Sequence, residues 1–185
     1  INAAVNLDEA LLAASAPAMA TGAESAQLLT FDLDEEGKPE WAIVTVVWVY
    51  EGSPRLSVGT RIYLPNLPFA KLWIDDPFTP VLISDVVEDE RLIPALRDAF
   101  LETDIRASVI MPLSLAGRWV GLITVNWTTP HLFTPTDQRL YKSLATQSAV
   151  VVNNLLLYEE AQQRASLLEK LTQIEVALSQ SGNEA

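Results

Sequence analysis

Hydrophobic and polar positions along this chain change period several times, and each change marks an element. Over residues 4–16 apolar side chains recur at helical spacing, with Leu7, Leu11 and Ala14 on one face. Asn6 is placed to cap this helix, Glu9 stands three residues later in capping-box position, and Pro17 is expected to end it. Residues 25–33 (SAQLLTFDL) suit a strand, DEEGKPE is a turn, and residues 41–50 (WAIVTVVWVY) form a β-branched and aromatic strand. The pair predicts an antiparallel hairpin. RIYL, residues 61–64, predicts a third, short strand.

The middle, residues 65–105, reads as irregular. PNLPFAKLWIDDPFTP holds four prolines, so no long element runs through it. VLISDV predicts a strand. DERLIPALRDAFLETD predicts a helix with Asp89 near its start and Pro94 in or near its first turn. Next comes ASVIMPLSLAGRWVGLITVNW, two strands joined by a Gly-Arg turn. In the first, Val109, Met111, Leu113 and Leu115 share one side and Ser108, Pro112 and Ser114 the other. The second is apolar on nearly both faces, the pattern of a central strand covered on both sides. Gly121 within it leaves room for a neighbouring side chain or backbone.

The helical period then returns and persists. Thr134 or Thr136 is expected as the cap, with Pro135 in the first turn and Asp137 complementing the positive helix end. Leu140, Leu144, Gln147, Val151 and Leu155 recur at three- and four-residue steps. No glycine or proline interrupts Thr136 to Ser181. A helix of about 40 residues would be roughly 60 Å long, more than a domain of this size covers, so its far end is expected to pack on something else. Leu167, Leu171, Ile174 and Leu178 follow the four-three-four spacing of a coiled-coil seam, and predict a homodimer through the terminal helices. A surface helix folded back on its own domain is the alternative.

Composition narrows the chemistry. A chain of 185 residues, 49% hydrophobic and with five Trp, fills one sizeable core. The net charge of −12 repels phosphate backbones and anionic lipid, so neither nucleic acid nor a membrane surface is expected as a partner. There is no cysteine, which removes disulfides, Cys-ligated zinc, thiol catalysis and any cofactor joined through sulfur. A cytoplasmic location is the expectation. LLAASAPAMA has small-residue patterns like a secretion signal, but Asp8 and Glu9 stand where a basic region would be, and it reads as helix. No apolar run approaches the roughly 18 residues of a membrane span. The first residue is Ile rather than Met, the expectation for a piece of a longer protein.

Catalytic and metal-binding patterns are missing from the motifs. The single histidine, His131, sits in the turn TTPHLFTP with no companion in sequence and reads as a surface residue. Asp75-Asp76 and Glu88-Asp89-Glu90 lack calcium-loop spacing and read as solvated or capping carboxylates. Neither a nucleophile elbow nor a phosphate-cradling glycine loop is present.

VIMPLSLAGRWVGLITVNW followed by FTPTDQRLYKSLATQSAVVVNN resembles the GAF domain, the small-molecule-sensing module of signalling proteins. The Pro-Leu, Gly and F-x-x-x-D spacing together carry the likeness. The resemblance implies an α+β, PAS-related fold: a central antiparallel sheet of about six strands flanked by helices, and a long C-terminal connector helix. It implies a sensory domain over residues 1–160 and a helical linker to a following module over 161–185. The family's cyclic-nucleotide-binding members carry an N-K…F-x-x-x-D-E set. Here Asn126, Phe133 and Asp137 match, while Trp127 and Gln138 replace the Lys and the Glu, which counts against cyclic nucleotides. Covalent bilin attachment and methionine-sulfoxide reduction in this fold need cysteines that this chain lacks.

The implied ligand pocket lies under the irregular middle segment. Phe69, Trp73, Phe78 and Trp127 are its aromatic candidates, and Tyr63, Asp85, Arg106 and Ser108 its polar ones. No catalytic residue, metal site or cofactor is expected, only an unknown small molecule. The implied function is a non-catalytic sensing and dimerisation domain of a signal-transduction protein such as a sensor histidine kinase. A ligand-free dimerisation spacer and the effector domain of a transcription regulator are the alternatives.

Overall fold

The structure is a computed structural model and describes residues 6–51 and 56–181, with side chains as far as residue 174. The chain divides into two compact units, Ile1–Val152 and Asn153–Ala185.

The first unit is built on one six-stranded sheet in the order β3-β2-β1-β6-β5-β4. Its strands are β1 (Ser25–Leu33), β2 (Pro39–Val49), β3 (Arg61–Tyr63), β4 (Val81–Ile83), β5 (Ala107–Leu115) and β6 (Arg118–Trp127). Every neighbouring pair is antiparallel. β1 and β6 lie at the centre, so both of their faces are covered, and eight consecutive residues of β6, Val120–Trp127, are buried. β5 is buried from Ala107 to Leu113, including the side that carries Ser108 and Pro112. The β5–β6 turn is made by Ala116 and Gly117, both at positive φ (50° and 79°), and Arg118 already belongs to β6. The predicted Gly-Arg turn is thus shifted back by one residue. Two adjacent positive-φ residues give the turn whose twist matches that of the flanking strands.

Gly121 needs to be glycine for a different reason. A methyl group there would stand 2.5 Å from the Leu29 carbonyl oxygen on β1. The close approach is to backbone, which cannot move aside.

Helix α1 (Leu7–Met19) is capped as predicted, with the Glu9 N–H donating to Asn6 Oδ1 at 2.9 Å. It does not stop at Pro17. Pro17 lies inside it, and the helix runs on to Met19 and an Ala20 cap. Only the bond to the Ala13 carbonyl is lost, near the end of the helix where exposed carbonyls are readily hydrated. α1 packs on β1, β2 and β6 through Leu7, Ala10, Leu11, Ala14 and Ala18.

Helix α2 is shorter than predicted. It covers Pro94–Glu102 with Pro94 in the first turn, and residues 89–92 form turns instead. Asp89 does not open the helix: its carboxylate accepts from the Arg91 N–H and pairs with the Arg91 guanidinium at 2.6 Å. β4 is likewise only Val81–Ile83, because Asp85 begins a turn and accepts from the Val87 N–H.

Helix α3 runs Pro135–Ser181. Thr134 is the cap, not Thr136: the Asp137 N–H donates to Thr134 Oγ1 at 3.3 Å, and the Thr134 N–H donates back to Asp137 Oδ2 at 2.7 Å. Its buried face is Tyr141, Ala145, Ser148, Ala149 and Val152. The stripe expected from the larger apolar residues is a different one: Leu140 and Gln147 are exposed, and Leu144, Val151 and Leu155 are half-buried. Small side chains at 145, 148 and 149 allow close approach to the protein, and bulk alone misidentified the inward face.

In the second unit, Asn153–Ala185, the residues of the expected coiled-coil seam are exposed: Leu167 58%, Leu171 50% and Ile174 55%. The side chain of Leu178, the last of that seam, lies outside the described ones.

Candidate functional site

The sheet's two faces are used differently. α1 buries its apolar side on one. The other carries Leu29, Ala42, Val44, Ile110 and Leu122, packed with Trp73 from the middle segment and with Leu96 and Phe100 of α2. The prolines that broke regular structure in residues 65–105 leave a short 3₁₀ turn, Pro68–Leu72, which sets Phe69 and Trp73 over the sheet. Between sheet, turn and α2 lies a cavity of about 540 Å³. That is within the range of small-molecule sites, about 300–1,000 Å³.

Aromatic rings line its inner side. Phe69 sits 5.9 Å from Phe100 and 6.4 Å from Trp73, centroid to centroid. Trp73 is 1% exposed, stacked on Phe31 at 5.5 Å and edge-on to Trp119 at 5.4 Å. Its indole Nε1 is sealed in without an acceptor.

The sheet supplies a polar strip in this otherwise apolar wall. Ser25 and Gln27 of β1 face the cavity together with Thr124 and Asn126 of β6 and Ser108 of β5. The register pairs them directly: Ser25 opposite Asn126, Gln27 opposite Thr124, and Asn126 opposite Ser108. Ser108 Oγ donates to Asn126 Oδ1 at 2.8 Å, and Asn126 Nδ2 donates to Ser25 Oγ at 3.2 Å.

Four of the sequence-predicted residues line the cavity: Phe69, Trp73, Ser108 and Trp127. The other four do not. Tyr63 lies on β3, tilted against Trp41 at 4.9 Å. Phe78 is 58% exposed. Asp85 and Arg106 pair with each other, Arg106 Nη2 standing 3.0 Å from both carboxylate oxygens. Burial works against the charged Asp85, but the Val87 N–H and the Arg106 guanidinium outweigh it and hold its pKa below the ordinary value. That ion pair ties the segment after β4 to the start of β5 and is complete without a ligand. Gln27, Thr124, Asn126, Leu96 and Phe100 were not singled out. The available signal was polar residues two apart in strands otherwise apolar: Ser25 and Gln27, Thr124 and Asn126.

Trp127 joins the cavity to α3. Its ring stacks on His131 at 4.7 Å and meets Phe133 at 5.5 Å, and Phe133 meets Tyr141 at 6.2 Å. His131 is therefore half-buried between rings rather than a free surface residue. Phe133 is a packing anchor and Asp137 a helix cap, with Thr134 lowering the Asp137 pKa through its hydroxyl and then its N–H. Gln138 Nε2 donates to the Pro80 carbonyl at 3.0 Å. Burial pushes the Tyr141 phenol up to about 12, with the nearby Asp137 charge adding to it.

The family model of the GAF domain matches residues 11–152. The chain belongs to the GAF domain family. Among solved structures it is similar to the blue-light-absorbing form of the PixJ GAF domain of Thermosynechococcus elongatus, at 16% identity and a TM-score of 0.62, covering 88% of this chain and 90% of that one. The GAF domain of an Acinetobacter phosphoenolpyruvate-protein phosphotransferase matches at 16% identity and a TM-score of 0.61, over 86% and 89% of the two chains. A domain from a Sinorhizobium meliloti 1021 protein named for a two-component sensor histidine kinase matches at 22% identity and a TM-score of 0.56, over 85% and 94%. At these identities the likeness is one of fold. None of the curated proteins matches the chain. Among the described residues no helix is long and apolar enough to cross a membrane.

Proposed function

We propose that this GAF domain is a non-catalytic, small-molecule-sensing and dimerisation domain of a cytoplasmic signal-transduction protein of the sensor histidine kinase type. The observation that carries the reading is the cavity of about 540 Å³ with a hydrogen-bonding strip on its floor. A domain that only filled its core would have little use for polar side chains there, because each buried polar group must find a partner. The Sinorhizobium meliloti relative, from a protein named for a sensor histidine kinase, favours that output.

The proposed mechanism is a population shift. Occupancy at β6 is felt by Trp127, which lines the cavity and stacks on His131, and from there through Phe133 to Tyr141 in α3. A ligand biases α3 only by binding two arrangements of this aromatic ladder with different affinity. A second helix paired on Leu167, Leu171 and Ile174 would cover the apolar surface that α3 exposes.

A second reading is a ligand-free dimerisation spacer. It is favoured by the Phe31–Trp73–Trp119 cluster, which packs part of the same face solidly. Titration with the neutral apolar dye N-phenyl-1-naphthylamine separates the two. A sensor saturates at one dye per chain, and Ala99→Trp, which places an indole at an exposed position of the cavity wall, abolishes the signal. Absence of saturable binding in the unmodified chain rejects the sensor reading.

A further inference from the structure

The floor of the cavity contains polar groups of two kinds. Ser108, Asn126 and Ser25 satisfy one another in a chain of hydrogen bonds. Gln27 and Thr124, the next pair along the same two strands, form no such link. They stand directly opposite across β1 and β6 and both line the cavity. Thr124 is 7% exposed, yet neither its hydroxyl nor the Gln27 amide has a side-chain hydrogen bond among the described residues. Residues opposed in this way hold their Cβ atoms about 5 Å apart, close enough to engage a single group on one molecule.

We infer that the pocket takes a neutral, flat, largely apolar molecule with one edge that carries a hydrogen-bond donor beside an acceptor, and that Gln27 and Thr124 read that edge. The inference rests on the ligand-sensing reading above and names the class of ligand. Gln27 offers a carbonyl and an NH₂ side by side, which matches a lactam or carboxamide edge through two parallel hydrogen bonds. Thr124 supplies a hydroxyl to the second lone pair of the same carbonyl. The rings of Phe69, Trp73 and Phe100 provide flat apolar wall.

Charge supports the neutral class. Among the described residues that line the cavity there is no Lys, Arg or His, while Glu24, Glu51 and Asp104 are carboxylates among them. A buried anion would lose its water without gaining a counter-charge from any of these described residues. The polar strip itself, Ser25, Gln27, Ser108, Thr124 and Asn126, holds no carboxylate, so a cation seated on it would gain no counter-charge there either.

The test uses four two-ring probes of similar size, each competing with N-phenyl-1-naphthylamine: quinolin-2-one, naphthalene, 2-naphthoate and naphthalen-2-ylmethylammonium. The expected result is that quinolin-2-one binds at least about tenfold more tightly than naphthalene, the scale of one well-made hydrogen-bonded edge. Gln27→Leu and Thr124→Val, which remove the polar groups at similar bulk, are expected to reduce that preference, read in each variant as the ratio of quinolin-2-one to naphthalene affinity. Equal binding of quinolin-2-one and naphthalene, or a preference that survives both substitutions, overturns the role of this pair. Tightest binding of the carboxylate or the ammonium probe overturns the neutral class. In all of these the dye still binds, so the sensing reading stands. Failure of the dye itself to saturate removes both.

Discussion

Gly121 on β6 and Leu29 on β1 approach so closely that a methyl group on the first would stand 2.5 Å from the carbonyl oxygen of the second. β1 and β6 are the two central strands, and the polar strip is divided between them and β5. The missing side chain at 121 is what lets them pair at this spacing. Gly121→Ala is therefore expected to destabilise the fold by about 1–3 kcal/mol, the usual cost of forcing an extra carbon into a packed interior. Urea denaturation followed by tryptophan fluorescence measures it. An unchanged midpoint would show that the strands can separate there without cost.

Thr134 and Asp137 cap α3 reciprocally. Thr134→Ala is expected to cost about 1 kcal/mol, the typical value of a lost N-cap. The same substitution alters the acid limb of stability. The Asp137 carboxyl is held below its ordinary value in the folded chain, first by the Thr134 hydroxyl. Its contribution is thus present above the unfolded carboxylate pKa, near 3.8, and is lost as pH falls through the lowered folded value. Removing the hydroxyl brings the two values closer, the Thr134 N–H still holding the folded one down, so the variant should lose less stability than the parent on acidification below that pH. Parallel acid limbs for the two chains would count against the assignment.

Tyr141 predicts behaviour at the other end of the scale. Burial raises its phenol to about 12 from an ordinary value of 10.0. Because the folded value is the higher, stability is fully present below pH 10 and declines as pH rises through the folded pKa. Ultraviolet titration should show one late phenolate step near pH 12, and Tyr141→Phe should remove it. If the late step persists in the variant, another phenol is responsible.

Leu167, Leu171 and Ile174 are each at least half exposed along α3. Sedimentation equilibrium of the chain and of a version ending at Tyr158 is expected to show a dimer for the first and a monomer for the second. Two monomers at high micromolar concentration would remove the helix as the partner surface.

The hairpin of β5 and β6 and the capped entry to α3 were both legible from local patterns, as was the close approach at Gly121. Alternation, turn residues and caps act between neighbours in the chain, so they show in one dimension. Ambiguity arose where a local rule met a tertiary one. Asp89 and Pro94 are both good helix starters, but Ile93 is held extended before the proline (ψ 153°), so the helix starts at Pro94 and Asp89 pairs with Arg91 instead. α3 offered two faces, and the one with small side chains at Ala145 and Ala149 turned inward although the other carried more apolar bulk.

The candidate site shows the same division. Composition by itself excluded cysteine chemistry, and the prolines of residues 65–105 marked where a loop would cover the sheet. Nothing in the linear order says that Asp85 is paired with Arg106, or that Gln27 faces Thr124, 97 positions away. Those relations follow from strand order and register, set by the packing of the whole sheet. The sequence determined that there would be strands, caps and an irregular, proline-rich middle segment; only the tertiary structure decided which polar side chains share a wall of the cavity, because that depends on which strands become neighbours.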